Sequence, residues 1–142
     1  MTSAILDTNV LVQSLISSPR SASARVLDAY FDGRFELICS SASVDELLEA
    51  LLLPRIRQRH GLSDNEVLEF VTSLLPRARI CVGTTPVSHS VSRDVSDTKF
   101  LSMADETDAE FLVTNDRRHL LRLGHWGKTK IVTPTQFLKE LA

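Results

Sequence analysis

A three-layer α/β/α sandwich around a central, mainly parallel five-stranded sheet is the fold that this sequence predicts, and three observations predict it. Short apolar runs alternate along the chain with longer helical patterns. The short runs are almost continuously apolar instead of alternating, as strands buried on both faces of a parallel sheet must be. The 142 residues, 43% of them apolar, contain no linker, repeat or low-complexity stretch, so a single domain over 1–142 with one continuous core is expected.

The first strand is AIL (4–6), and a helix is expected at about 10–17, followed by another at about 22–31. ELIC (36–39) reads as the second buried strand. The clearest helix follows at 42–52, where Val44, Leu47, Leu48, Leu51 and Leu52 recur at helical spacing. Ser41 or Ser43 can cap its start and Pro54 lies beyond its end. A further helix at about 64–75 precedes a third buried strand, RICV (79–82). The stretch from Thr84 to Arg93 is rich in Ser and Thr without apolar periodicity, and it reads as a loop. A helix at about 98–107, strands EFLVT (110–114) and KIVT (130–133), and a last helix at about 135–141 complete the chain. Strands alternating with helices imply right-handed crossovers.

Composition narrows the function. The start MTSAILDTNV lacks the basic residues and the roughly 7–15-residue apolar run of a secretory signal, and no apolar stretch approaches bilayer length, so a cytoplasmic protein is expected. Cys39 and Cys81 lie in short apolar runs without CxxC spacing and read as reduced and buried. The four histidines never fall at a paired ligand spacing, which argues against zinc. Net charge is −2, with 16 basic and 18 acidic residues, and gives no general attraction to nucleic acid. With four acids tied up by metal, however, the bases outnumber the rest, and they cluster in 54–60 and 116–128.

Ligands of open parallel sheets bind in the crevice beyond the carboxyl ends of the strands. Asp7 ends the first strand run and Asp116 follows FLVT closely, which puts both acids there. Asp97 precedes the pattern TKFLSMA, where a carboxylate can cap a helix and still point an oxygen outward. Glu46 lies early in its helix, off the apolar stripe; Asp45 and Glu49 are near, and periodicity alone does not choose among the three. Carboxylates converging on one crevice repel one another unless a cation is present, and oxygen-only ligands favour Mg²⁺ or Mn²⁺. Two such ions roughly 3.5–4 Å apart can activate a water and stabilise the leaving oxygen of a phosphodiester.

Four blocks, LDTNV (6–10), DELLEAL (45–51), RDVSDTKFLSMA (93–104) and FLVTNDRRHLL (111–121), resemble the motif blocks of PIN domains in order and spacing over nearly the whole chain. The third and fourth blocks are similar to those of the subgroup of toxin components of toxin–antitoxin systems, the VapC-like toxins. The resemblance implies an Mg²⁺- or Mn²⁺-dependent endoribonuclease whose four acids are Asp7, Glu46, Asp97 and Asp116, and it selects Glu46 from its block. It implies that Asn9 and Thr114 orient the acids or ligand waters, and that the protein forms a homodimer and has a cognate antitoxin. Asn115 stands where many relatives carry Gly or Ser, and as a short polar residue it still permits the turn.

Other readings compete. Arg117, Arg118 and Arg122 could contact substrate phosphates or simply form a charged exterior, and Arg55, Arg57 and Arg59 could hold substrate or keep a turn soluble. Trp126 reads as core more readily than as a base-stacking platform. Leu11, Val12, Leu15 and Ile16 form a stripe that suits either sheet packing or a subunit interface. A haloacid-dehalogenase-like phosphatase also begins with Asp after its first strand, but its second Asp is Asn9 here. A non-catalytic PIN-fold scaffold that binds without cutting is the remaining alternative.

Overall fold

The computed structural model describes residues 1–83 and 95–142, the latter without the side chains of 95–97. The loop expected between Thr84 and Arg93 lies outside the described residues. In chain order the elements are β1 (Ser3–Leu6), α1 (Thr8–Ile16), α2 (Ala22–Phe31), β2 (Glu36–Ser40), α3 (Ser41–Leu52), α4 (Pro54–His60) and α5 (Asp64–Leu74). They continue with β3 (Arg79–Cys81), α6 (Val95–Thr107), β4 (Phe111–Val113), α7 (Leu120–Leu123), β5 (His125–Trp126), β6 (Thr129–Val132) and α8 (Pro134–Leu141).

The sheet runs β3-β2-β1-β4-β6-β5, parallel throughout except for β5. Six strands therefore replace the expected five. The sixth is a two-residue strand, too short to carry a period, which Gly127 (φ 57°) turns back onto β6 with the positive φ that a tight hairpin turn takes at its first position.

Alternate residues of the central strands serve opposite faces. Ala4, Leu6, Leu37, Cys39, Phe111 and Val113 join α1, α2, α3, α5 and α8 in the larger cluster. Ile5, Ile38 and Leu112 join Phe100, Leu101, Met103 and Leu120 from α6 and α7 in the other. Both faces are covered, which is why these runs are apolar without alternation. RICV departs from that expectation: β3 is the sheet edge, and Ile80 is 57% exposed. Apolar composition does not tell an outer strand from an inner one.

Two short helices, α4 and α7, were not legible as periodic stretches. Pro54 stops α3 as expected but also opens α4 at its first position, where its missing N–H costs nothing. Ile56 packs on the larger cluster, and Arg57 pairs with Asp64 at 2.5 Å. His60 bridges backbone, lying 2.8 Å from the Leu51 carbonyl and accepting from Leu62 N–H at 2.9 Å, a packing role. The cap of α3 is Ser40, in a reciprocal box with Ser43, instead of Ser41 or Ser43 alone.

Leu11 and Val12 are buried and Leu15 and Ile16 partly so, with α1 packed on α2 and α3. Intrachain packing accounts for that stripe. Trp126 packs on the smaller cluster and donates to Asp105 at 2.8 Å, in line with its reading as core. Cys39 is buried, and burial pushes its thiol up to about 11. Cys81, on the edge strand, is only half-buried, contrary to expectation; burial and the Glu106 carboxylate beside it raise its thiol to about 12. Neither forms a disulfide. Among the described residues no helix is long and apolar enough to cross a membrane.

Candidate active site

The strand order reverses between β1 and β4: the chain moves outward from β1 through β2 to β3, then returns through α6 to the other side of β1. Loops diverge at such a point and leave a crevice beyond the carboxyl ends of the two strands. Asp7 follows β1 directly, and its N–H still joins the ladder by donating to the Val113 carbonyl at 2.9 Å. It occupies the N-cap position of α1 without capping it. Its carboxylate, 7% exposed, instead accepts the Thr114 hydroxyl at 2.7 Å and the Asn9 amide at 3.2 Å, both at Oδ2. Donors of this kind are what a carboxylate removed from water requires.

Thr114, fully buried after β4, also accepts the Asp116 N–H at 2.9 Å. One hydroxyl thus ties the two strand-end acids together. Asp116 Oδ1 accepts from the N–H groups of Arg118 (3.1 Å) and His119 (3.2 Å), which folds the turn into α7. His119 Nδ1 lies 3.4 Å from Asp116 Oδ2. Asn9 closes the arrangement from the other side, its Oδ1 accepting the Asn115 N–H at 3.2 Å.

Glu46 reaches the cleft from the second turn of α3, where its neighbours Asp45 and Glu49 are exposed. Periodicity left three acids open, and the packing of α3 turns Glu46 toward the crevice. Thr8, in the first turn of α1, donates its hydroxyl to Glu46 Oε2, and Lys99 Nζ stands 2.9 Å from Oε1. Asp7, Glu46 and Asp116 all line a cleft of about 650 Å³, together with Thr8, Asn9, Arg55, Ile56 and His119.

Asp97 is not at a helix cap. Its backbone is the third residue of α6, because the helix starts at Val95, earlier than the apolar pattern indicates; its side chain lies outside the described residues. Arg117 and Arg118 are exposed and do not line the cleft, whereas Arg55 does. Sequence reasoning missed Thr8, Lys99 and His119 as cleft neighbours. Lys99 stands in the quoted DTKF block two residues after Asp97, which was the available signal. Among the described residues no three His, Cys, Asp or Glu side chains come together as a group able to hold an ion.

Thr114→Val keeps the shape of the side chain while removing both links. The variant should fold but leave the buried Asp7 carboxylate without the Thr114 donor, at a cost of about 1–3 kcal/mol of stability. Urea unfolding checks this, and a parent-like midpoint would show that the hydroxyl contributes nothing to the fold.

The described structure is thus an α/β protein whose mainly parallel sheet carries a carboxylate-lined cleft at its switch point. The chain belongs to the PIN-domain family, whose sequence model matches residues 3–118. That membership sets the phosphatase reading aside. No curated protein matches the chain. Among solved structures it is similar to a chain of VapBC2 from Rickettsia felis bound to a DNA fragment from their promoter, with a TM-score of 0.60 and 17% identity over 93% of this chain and 98% of the other. It is also similar to a chain of FitAB bound to an IR36 DNA fragment, with a TM-score of 0.55 and 20% identity over 92% and 94% of the two chains.

Proposed function

We propose that this protein is a metal-dependent endoribonuclease and the toxin of a toxin–antitoxin pair. The observation that carries the nuclease reading is the joining of Asp7 and Asp116 through Thr114 at the switch point, with Glu46 on the same cleft. The donor set fits a hard ion: carboxylates supported by hydroxyls and an amide, with neither cysteine at the cleft. Asp7, Glu46, Asp97 and Asp116 are the residues that would hold Mg²⁺ or Mn²⁺. When bound, the ion supplies Lewis-acid stabilisation of the attacking and leaving oxygens of a phosphodiester.

This chain's own residues then do the positioning. Thr114 and Asn9 fix the Asp7 carboxylate, the turn N–H groups fix Asp116, and Thr8 fixes Glu46. Arg55, on the cleft wall, supplies a cation for substrate phosphate, with the exposed Arg117 and Arg118 as a second source outside the cleft. The toxin reading rests on the block resemblance and on the fold shared with chains of VapBC2 and FitAB, and it carries with it a cognate antitoxin, a homodimer and a cytoplasmic location.

The test is incubation of the protein with mixed structured and single-stranded RNAs in Mg²⁺, Mn²⁺ or EDTA. Cutting with either metal and none in EDTA is the expected outcome. Intact RNA under every condition, with binding retained, would favour the scaffold instead, a reading that the net charge of −2 keeps in view. Growth arrest of a bacterial host on expression, relieved by a co-expressed partner, would separate a toxin from a housekeeping nuclease.

A further inference from the structure

The acids of the cleft fall into two sets. Asp7 and Asp116 are joined through the Thr114 hydroxyl. Glu46 is held on both oxygens, by the Thr8 hydroxyl at Oε2 and by the Lys99 ammonium 2.9 Å from Oε1. The Lys99 and Glu46 side chains are each 24% exposed, so this pair is set into the wall of the site and is not a solvated surface contact. Lys99 comes from α6 and Glu46 from α3, helices on opposite faces of the sheet, and the contact spans the end of the sheet between them.

We infer that Lys99 is a built-in cation that balances Glu46 in place of a second divalent ion, so that the acids of this cleft together hold a single metal ion. The inference rests on the metal-site reading above and deepens it. An ammonium within hydrogen-bonding reach of Glu46 supplies the positive charge that this carboxylate would otherwise draw from a second metal. A second ion placed at Glu46 Oε1 would also stand next to that ammonium, and two cations at such a separation repel strongly in a partly desolvated site. Lys99 thereby acts through Glu46 as a positioning residue, and the positive charge at this corner does not depend on metal concentration. Arginine keeps the charge at position 99, whereas methionine keeps much of the length and removes it.

The experiment is calorimetric titration of Mn²⁺ into the parent protein, Lys99→Met, Lys99→Arg and the double variant Glu46→Gln/Lys99→Met, with the Mn²⁺ electron paramagnetic resonance spectrum recorded at saturation. One ion per chain is expected in the parent and in Lys99→Arg. A second ion, with broadening from a neighbouring Mn²⁺, is expected in Lys99→Met, and it should vanish in the double variant. Two ions in the parent would overturn the inference whatever the variants do, including a Lys99→Met that fails to fold. One ion in a folded Lys99→Met would overturn it while leaving the metal site standing. A parent that binds no Mn²⁺ would remove the metal-site reading and this inference together.

Discussion

In the Asp7→Asn variant, metal-dependent RNA cleavage is expected to fall by on the order of 10²–10³-fold, the scale for losing one preorganised electrostatic group at a reacting centre. The substitution is nearly isosteric, so the fold should survive. Its effect is electrical: Asp7 is 7% exposed and held by Thr114 and Asn9, and an amide there offers no charge to an ion. Asp7 also shares the cleft with Glu46 and Asp116, so removing its charge relieves repulsion in the metal-free protein. The melting temperature should therefore stay level or rise while activity collapses, the usual trade between stability and function at a site of gathered charge. RNA cleavage assays with the variant and the parent, beside thermal melts of both, check the pair of outcomes. An Asp7→Asn protein that cuts like the parent would end the assignment of Asp7.

The largest loss of stability is expected at Phe137→Ala. Phe137 is fully buried on α8, edge-on to Phe35 at 5.0 Å between ring centroids and near Phe111 of β4 at 5.4 Å. Removing the ring takes away apolar burial and leaves a cavity between the last helix and the sheet, at a cost of about 3–5 kcal/mol. Urea unfolding should show a lower midpoint with an unchanged slope, the mark of lost stability without a changed unfolded state. A shift below about 1 kcal/mol would mean that α8 closes over the gap. The folded fraction should keep the shape of the cleft, because Phe137 itself does not line it.

Much of this protein was legible in one dimension because its central strands are buried on both faces. Ala4 to Leu6, Leu37 to Cys39 and Phe111 to Val113 must all be apolar, whichever way each side chain points, and that signature marks strands and fold class together. The acids Asp7 and Asp116 were readable for a related reason: a charged residue directly beyond a buried strand can stand only at the strand's end. The amino-acid order thus determined the α/β class, the order of the longer elements, and the two acids at the switch point.

The tertiary structure decided what depends on neighbours distant in the chain. Ile80 is exposed because β3 is outermost, and strand order is set by crossovers that no local pattern records. The two-residue β5 exists only because β6 lies beside it. Glu46 is distinguished in space from Asp45 and Glu49 by the pose of α3 against α1, which brings it to Thr8. Lys99 meets Glu46 53 residues away, across the end of the sheet. Local propensity and periodicity act over a few residues, whereas these choices are made by packing between segments, where burial and charge pairing outweigh any preference written along the chain.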